Sequence, residues 1–208
     1  MSRGTQAELF PDSPALPEGY IYRPEFLTVG EERALLADIA ALPLHEAKYK
    51  AYTARRRIAA YGFSYDYDGN RLATAPPPPD FLQPLKARVA AWLSLRAAAF
   101  AHVLVTEYPP GTPIGWHRDT PEFEIVAGIS LKGWCRMRLR PYPHVAHGNA
   151  KSVEIALAPR SIYILRGPAR WQWQHHIPPT EEHRYSITLR TLAQCKGTHS
   201  RGPPEPTI

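Results

Sequence analysis

From residue 31 to residue 42 the apolar side chains Leu35, Leu36, Ile39 and Leu42 recur at three- and four-residue steps behind the acids Glu31 and Glu32. That spacing predicts an amphipathic helix with its stripe in the core and its acids at the positive end of the helix dipole. Leu82, Leu85, Val89, Trp92 and Leu93 form a second stripe, predicting a helix over 81–95 with Asp80 as N-cap and Pro84 tolerated in its first turn. The prolines at 76–79 require an extended connection before it. Elsewhere the pattern shortens to strand-like runs at 20–26, 102–108, 124–131, 134–140, 153–157, 161–165 and 184–192, separated by turn residues. Many short strands following two helices predict a mostly β protein with flanking helices, a double-sheet jelly roll with the helices on one side.

The segment 52–67 carries Arg55, Arg56 and Arg57, then Tyr61, Phe63, Tyr65 and Tyr67, and meets the turn signal Asp68-Gly69. Rings at every odd position from 61 to 67 would line one face of a single strand. As a substrate lid, Tyr61, Phe63 and Tyr65 would stack on a nucleobase while Arg55 and Arg57 hold phosphates. As plain structure, the rings would pack onto the domain and the arginines would face water.

The 208 residues are enough for one domain, expected over 19–195 between a polar arm at 1–18 and a Gly- and Pro-rich tail at 196–208. A formal charge of +6 and a pI near 9.4 suit a polyanionic partner, although charge alone does not choose one. Cys135 and Cys195 have no zinc-ribbon spacing and suggest no disulfide. No apolar run approaches the roughly 20 residues of a membrane span, and Glu8 and Pro11 interrupt any signal-peptide stretch, so a soluble cytoplasmic protein is expected.

The chemistry lies in two blocks. In Gly115-Trp-His-Arg-Asp-Thr120, His117 and Asp119 are two residues apart, so on an extended chain both point to one side and can share a metal ion. A later histidine completes a two-His, one-carboxylate set, the facial triad of non-haem Fe(II) oxygenases. His175, His176 and His183 all compete for that place. Arg184 and Arg190 follow with even spacing, on one side of a strand, where guanidinium forks can grip a dicarboxylate. His144 and His147 would permit a second metal site, but a polar loop carrying histidines is commonplace.

Tyr108-x-Pro-Gly111, His117-x-Asp119, Ser130-Leu131, Gly167 with Arg170, Trp173-x-His175-x-Ile177, and Arg184-Tyr185 through Arg190 together resemble the AlkB-like 2-oxoglutarate- and Fe(II)-dependent dioxygenases. The resemblance covers about residues 100–192. It implies a double-stranded β-helix over that range, a substrate lid near 45–75, bound Fe(II), and 2-oxoglutarate and O2 as co-substrates. Its register selects His175 as the third ligand. It implies that Arg184 and the Tyr108 hydroxyl take the far carboxylate, with Arg190 nearer the metal. Thr106 and Ser186 stand where the family usually has asparagine. The implied reaction is oxidative demethylation of N-alkylated bases in single-stranded DNA or RNA, as in repair of alkylation damage. Pro121, however, occupies a place where repairing members often carry an acid, and the spacing over 167–177 resembles the branch acting on transfer RNA. An oxygenase of the same fold acting on protein or a small molecule is the nearest alternative. A non-catalytic jelly roll binding single-stranded nucleic acid would lack any use for the triad.

Overall fold

The computed structural model describes residues 16–49, 52–66, 69, 71–143 and 152–193. In chain order the elements are β1 (Tyr20–Arg23), α1 (Val29–Ala40), β2 (His45–Tyr49), β3 (Tyr52–Tyr61), β4 (Phe63–Asp66), β5 (Arg71–Thr74) and α2 (Gln83–Trp92). There follow β6 (Phe100–Tyr108), β7 (Ile114–His117), β8 (Phe123–Leu131), β9 (Cys135–Pro141), β10 (Val153–Leu157) and β11 (Ile162–Leu165). The last elements are α3 (Gly167–Trp171), β12 (Trp173–Ile177) and β13 (Arg184–Leu192). A seven-stranded sheet has the order β1-β11-β8-β13-β6-β3-β2, a four-stranded sheet the order β10-β9-β12-β7, and β4 pairs with β5 alone.

The two helices cover the outer face of the large sheet. Leu35 and Ile39 of α1 and Leu85 and Val89 of α2 are buried in one cluster with Val103 and Val105 of β6, Ile129 of β8, and Ile187 and Leu189 of β13. A second cluster fills the space between the sheets, with Val126, Met137, Leu139, Leu157, Leu165 and Ile177. Side chains alternate along a strand, so β6 and β13 send their other residues inward. On that inner face His102, Thr106, Arg184, Ser186 and Thr188 are all buried. Buried polar groups need partners, and their concentration on one face marks a site rather than a core.

Helix α1 begins two residues ahead of its predicted start because Thr28 and Glu31 form a capping box. The predicted N-cap Asp80 is a miss. It lies in a 3-10 turn, Asp80–Leu82, and α2 begins after Leu82 with no side-chain cap and with Pro84 in its first turn. Proline lacks an N–H, so it sits where none is required.

Glu32, on the inner side of α1, is 8% exposed. Its carboxylate accepts from the Lys132 backbone N–H at 2.8 Å and from Arg160 Nη1 at 3.3 Å. Lys132 and Arg160 are both non-glycine residues at positive φ, in the turns that follow β8 and precede β11. One carboxylate therefore holds two unfavourable turns. Glu32→Ala is expected to lower the unfolding free energy by about 2 kcal/mol, because a buried N–H and a guanidinium lose an ionised acceptor; urea denaturation measures it.

The segment 45–75 is divided rather than forming one lid. Strands β2 and β3 join the edge of the large sheet, and only the β4–β5 hairpin stands apart. The break is Gly62, at φ 75°, where an added Cβ would lie 2.0 Å from the Ala101 carbonyl oxygen. A chain that bends there at positive φ cannot keep one strand parity, so the expected aromatic strip is split. Tyr61 is buried in the core beneath the helices, while Tyr65 faces the interior cavity. Tyr67, Asp68, His144, His147, Cys195, residues 1–15 and the tail at 196–208 lie outside the described residues. Among the described helices none is long and apolar enough to cross a membrane.

Candidate metal and co-substrate site

Strand β12 pairs with β7 in a register that sets His175 directly beside His117. Their rings lie 4.1 Å apart between centroids. Asp119 follows two residues after β7 ends, and His175 Nε2 lies 3.7 Å from its Oδ2. One ligand atom from each of His117, Asp119 and His175 can be chosen so that all lie within 4.8 Å of one another. His117 Nδ1 donates to the Gly115 carbonyl at 2.8 Å, which fixes the tautomer and leaves Nε2 with its lone pair.

Burial first, then neighbouring His117, pushes His175 down to about 3, and burial also holds His117 below its ordinary range. Both imidazoles are therefore neutral at pH 7, the form that binds a metal. Burial alone would raise the Asp119 carboxyl; Arg190, with His175, His117 and Arg170, reverses this and holds it far below the usual range. The set is two neutral nitrogens and one carboxylate, the donor chemistry of non-haem Fe(II).

The two carboxylate oxygens of Asp119 have separate duties. Oδ1 accepts from Arg190 Nε at 2.7 Å and lies 2.6 Å from its Nη2, leaving Oδ2 toward His175. The loop bearing Asp119 is held by Arg170, which is 2% exposed and donates to the carbonyls of Asp119, Thr120 and Phe123. Arg170 comes from α3, so the segment just before His175 shapes the turn after His117.

A cavity of about 1200 Å³ opens over this group. Thr106, Tyr108, Arg184, Ser186, Thr188 and Arg190 line one wall. Arg184 is 2% exposed, its Nε donates to Ser130 Oγ at 3.2 Å, and its guanidinium lies 4.9 Å from the centre of the Tyr108 ring. The Tyr108 hydroxyl is 3.3 Å from Ser186 Oγ. Among the described residues no carboxylate pairs with Arg184. A buried cation facing a cavity without a counter-ion fits an anionic ligand.

Of the residues expected at the substrate, Tyr65 lines the cavity and Arg55, Arg57, Tyr61 and Phe63 do not. Strand parity is the reason. Arg57 points to the outer face, where its Nε donates to Glu107, whereas Arg56 lines the cavity. Arg118 also lines it, exposed, with its guanidinium 3.8 Å from the centre of the Tyr142 ring. The competing histidines are elsewhere: His183 Nε2 is 3.0 Å from Glu107 on the outer face, and His176 stacks on Trp116 at 5.0 Å.

His102 escaped the sequence reading as a site residue. Its Nδ1 lies 3.2 Å from Arg190 Nη1, so the neutral ring accepts and steadies the arginine that holds Asp119. Counting back in twos from Tyr108 along β6 would have found it. Burial first, with Arg190 beside it, pushes His102 down to about 3. The unfolded chain takes up this proton below about pH 6.5, while the folded chain resists it until near 3. Stability is therefore intact above 6.5 and falls as pH drops through that window, by up to about 1.4 kcal/mol per pH unit for this group. His102→Gln should flatten the loss of unfolding free energy between pH 7 and 5 by roughly 1–2 kcal/mol, read from urea curves.

Residues 39–195 match the family described as the 2OG-Fe(II) oxygenase superfamily. The chain belongs to this family. It is thus an Fe(II)- and 2-oxoglutarate-dependent dioxygenase, of AlkB-like type. An Alkylated DNA repair protein ALKBH8 homolog of Arabidopsis thaliana is 29% identical over 181 residues, covering 77% of this chain and 51% of that protein. The Xenopus tropicalis tRNA (carboxymethyluridine(34)-5-O)-methyltransferase alkbh8 is 28% identical, covering 94% of this chain and 30% of that protein. The chain spans about half or less of the length of these relatives. The solved structure of OsALKBH1 superposes with a TM-score of 0.66 at 14% identity, covering 85% of this chain and 98% of that one. A Pseudomonas putida prolyl-4-hydroxylase gives 0.58 at 17% identity, with 85% and 93% covered. Both share the double-stranded β-helix fold.

Proposed function

We propose that this dioxygenase oxidises a modified base in a single-stranded region of RNA, with a modified uridine of transfer RNA as the leading substrate. The observation that carries the reading is the cavity itself, which sets Tyr65, Arg56 and Arg118 around the metal-binding group. A ring can stack on an unpaired base and guanidinium groups can meet flanking phosphates. The positive net charge supports a polyanionic partner. Transfer RNA is preferred because relatives bear that substrate in their names and because Pro121 offers no acid to an exocyclic amine.

In this reading His117, Asp119 and His175 hold Fe(II), and Arg184 with the Tyr108 hydroxyl takes the far carboxylate of 2-oxoglutarate. Bound there, iron supplies the oxygen chemistry that couples decarboxylation of 2-oxoglutarate to succinate with oxidation of a substrate C–H bond. Arg190 keeps Asp119 ionised and turned so that one oxygen faces the metal position. Thr106 and Ser186 are cavity-side hydrogen-bonding groups beside the co-substrate.

The test is succinate release under Fe(II), 2-oxoglutarate and O2 with two substrates. One is transfer RNA carrying a carboxymethyl-type uridine, and the other is a single-stranded oligonucleotide with N-methylated adenine or cytosine. Succinate coupled to the gain of one oxygen atom by the transfer RNA base supports the proposal. Formaldehyde release from the methylated oligonucleotide alone would replace it with oxidative N-demethylation, the repair-type reaction. Turnover indifferent to nucleic acid would remove both.

A further inference from the structure

Tyr163 of β11 lines the same cavity as the metal-binding group and belongs to no motif. Its partner across the sheet is Gly128 of β8, which in turn pairs with Thr188 of β13. The phenol lies flat over that glycine. A Cβ at Gly128 would meet Tyr163 Cζ at 2.3 Å, Cε1 at 2.4 Å and the hydroxyl oxygen at 2.5 Å. Only glycine lets the ring cross β8 toward β13, so the ring's course is built into the sheet.

Gly128 is level with Thr188, which lies on β13 between Arg184 and Arg190. Tyr163 lines the same cavity as Asp119, Tyr108, Arg184 and Arg190. Burial first, and then Asp119, raise the phenol well above its ordinary range, so it stays a protonated donor at any working pH. Among the described residues no side chain hydrogen-bonds it. Tyr163 is therefore a donor on the lining of the cavity that Arg184 and Arg190 also line.

We infer that Tyr163 is a further co-substrate ligand, its hydroxyl donating to a carboxylate of 2-oxoglutarate alongside Arg184 and Tyr108. The inference rests on the placement of 2-oxoglutarate given above. Arg190 already directs one N–H of each of its three nitrogens at Asp119 and His102, so a second neutral donor beside Tyr108 adds to what the arginines can offer a carboxylate. A hydrogen bond to an ionised acceptor in a dry pocket is among the stronger ones.

Calorimetric titration of 2-oxoglutarate into Mn(II)-loaded protein without oxygen tests this apart from turnover. Tyr163→Phe keeps the ring over Gly128 and removes only the hydroxyl. The expected result is a dissociation constant raised about tenfold, with thermal stability in the absence of 2-oxoglutarate unchanged or higher. Unchanged affinity overturns the inference, and lowered stability with unchanged affinity would assign the hydroxyl to packing. Gly128→Ala, which displaces the ring, should weaken binding in the native background and add nothing once Tyr163 is valine; additive effects would also overturn it. Failure of the native protein to bind 2-oxoglutarate in this wall would instead strike the placement on which the inference depends.

Discussion

Replacement of His175 by alanine is expected to abolish co-substrate turnover, with succinate release falling by about a thousandfold or more, roughly 4 kcal/mol. The loss follows from the donor count. His117 and Asp119 remain, and two ligands on one side do not hold a divalent ion in an open octahedral site. No neighbour can step in. His176 leaves β12 on the other face and stacks on Trp116, and His183 is engaged with Glu107 across the large sheet. His176→Ala is accordingly expected to keep turnover near the native level, and the pair of variants separates ligand from bystander. Stoichiometric Mn(II) binding, measured on both, should vanish only for His175→Ala. Circular dichroism unchanged from the native protein would show that strand pairing between β7, β12 and β9 persists without the imidazole. Retained metal binding in His175→Ala would refute the ligand set.

Arg184→Met should separate function from stability in opposite directions. In the protein without 2-oxoglutarate this guanidinium is buried, with Ser130 as its hydrogen-bond partner and no carboxylate among the described residues. Removing an uncompensated buried charge in favour of a flexible apolar side chain is expected to raise thermal stability, by about 1–4 kcal/mol. The same change removes the fork proposed to meet the far carboxylate, and 2-oxoglutarate affinity should fall by about a hundredfold or more, equivalent to roughly 3 kcal/mol. Added 2-oxoglutarate should stabilise the native protein by mass action and leave the variant unmoved. Scanning fluorimetry with and without the co-substrate reads both effects. A variant that is less stable than the native protein yet still shifted by 2-oxoglutarate would assign Arg184 to structure.

The residues read most directly from the chain are those whose placement depends on parity within one strand. Arg184 and Arg190 are six apart on β13, and no break between them disturbs their common face. His117 and Asp119 behave likewise at the end of β7. Parity fails where the chain turns between the residues compared. Tyr61 and Tyr65 look equivalent in sequence, but the bend at Gly62 sends one into the core and the other into the cavity. Arg55, Arg56 and Arg57 are indistinguishable as a run, and only the pairing of β3 with β6 decides that Arg56 faces inward. Strand β2 was not foreseen, since His45–Tyr49 mixes charges with one small apolar residue as an edge strand does. Tyr163 was legible as a strand residue and illegible as a site residue, while His102 was within reach of the strand parity of β6 and was passed over. Their roles depend on neighbours 35 and 88 positions away, Gly128 and Arg190.

The bend at Gly62 also bears on how such a protein changes its diet over evolution. The β4–β5 hairpin is not hydrogen-bonded into either large sheet, and it joins the body at a neck where Gly62 N–H donates to the Pro76 carbonyl and Ala75 N–H to the Gly62 carbonyl. The residues proposed to hold metal and co-substrate all lie beyond that neck, on β6, β7, β11, β12 and β13 and the loop after β7. Residues 63–74 thus form a replaceable cassette: a descendant could exchange its hairpin for one of different sequence and acquire a new substrate while inheriting the oxidising machinery intact.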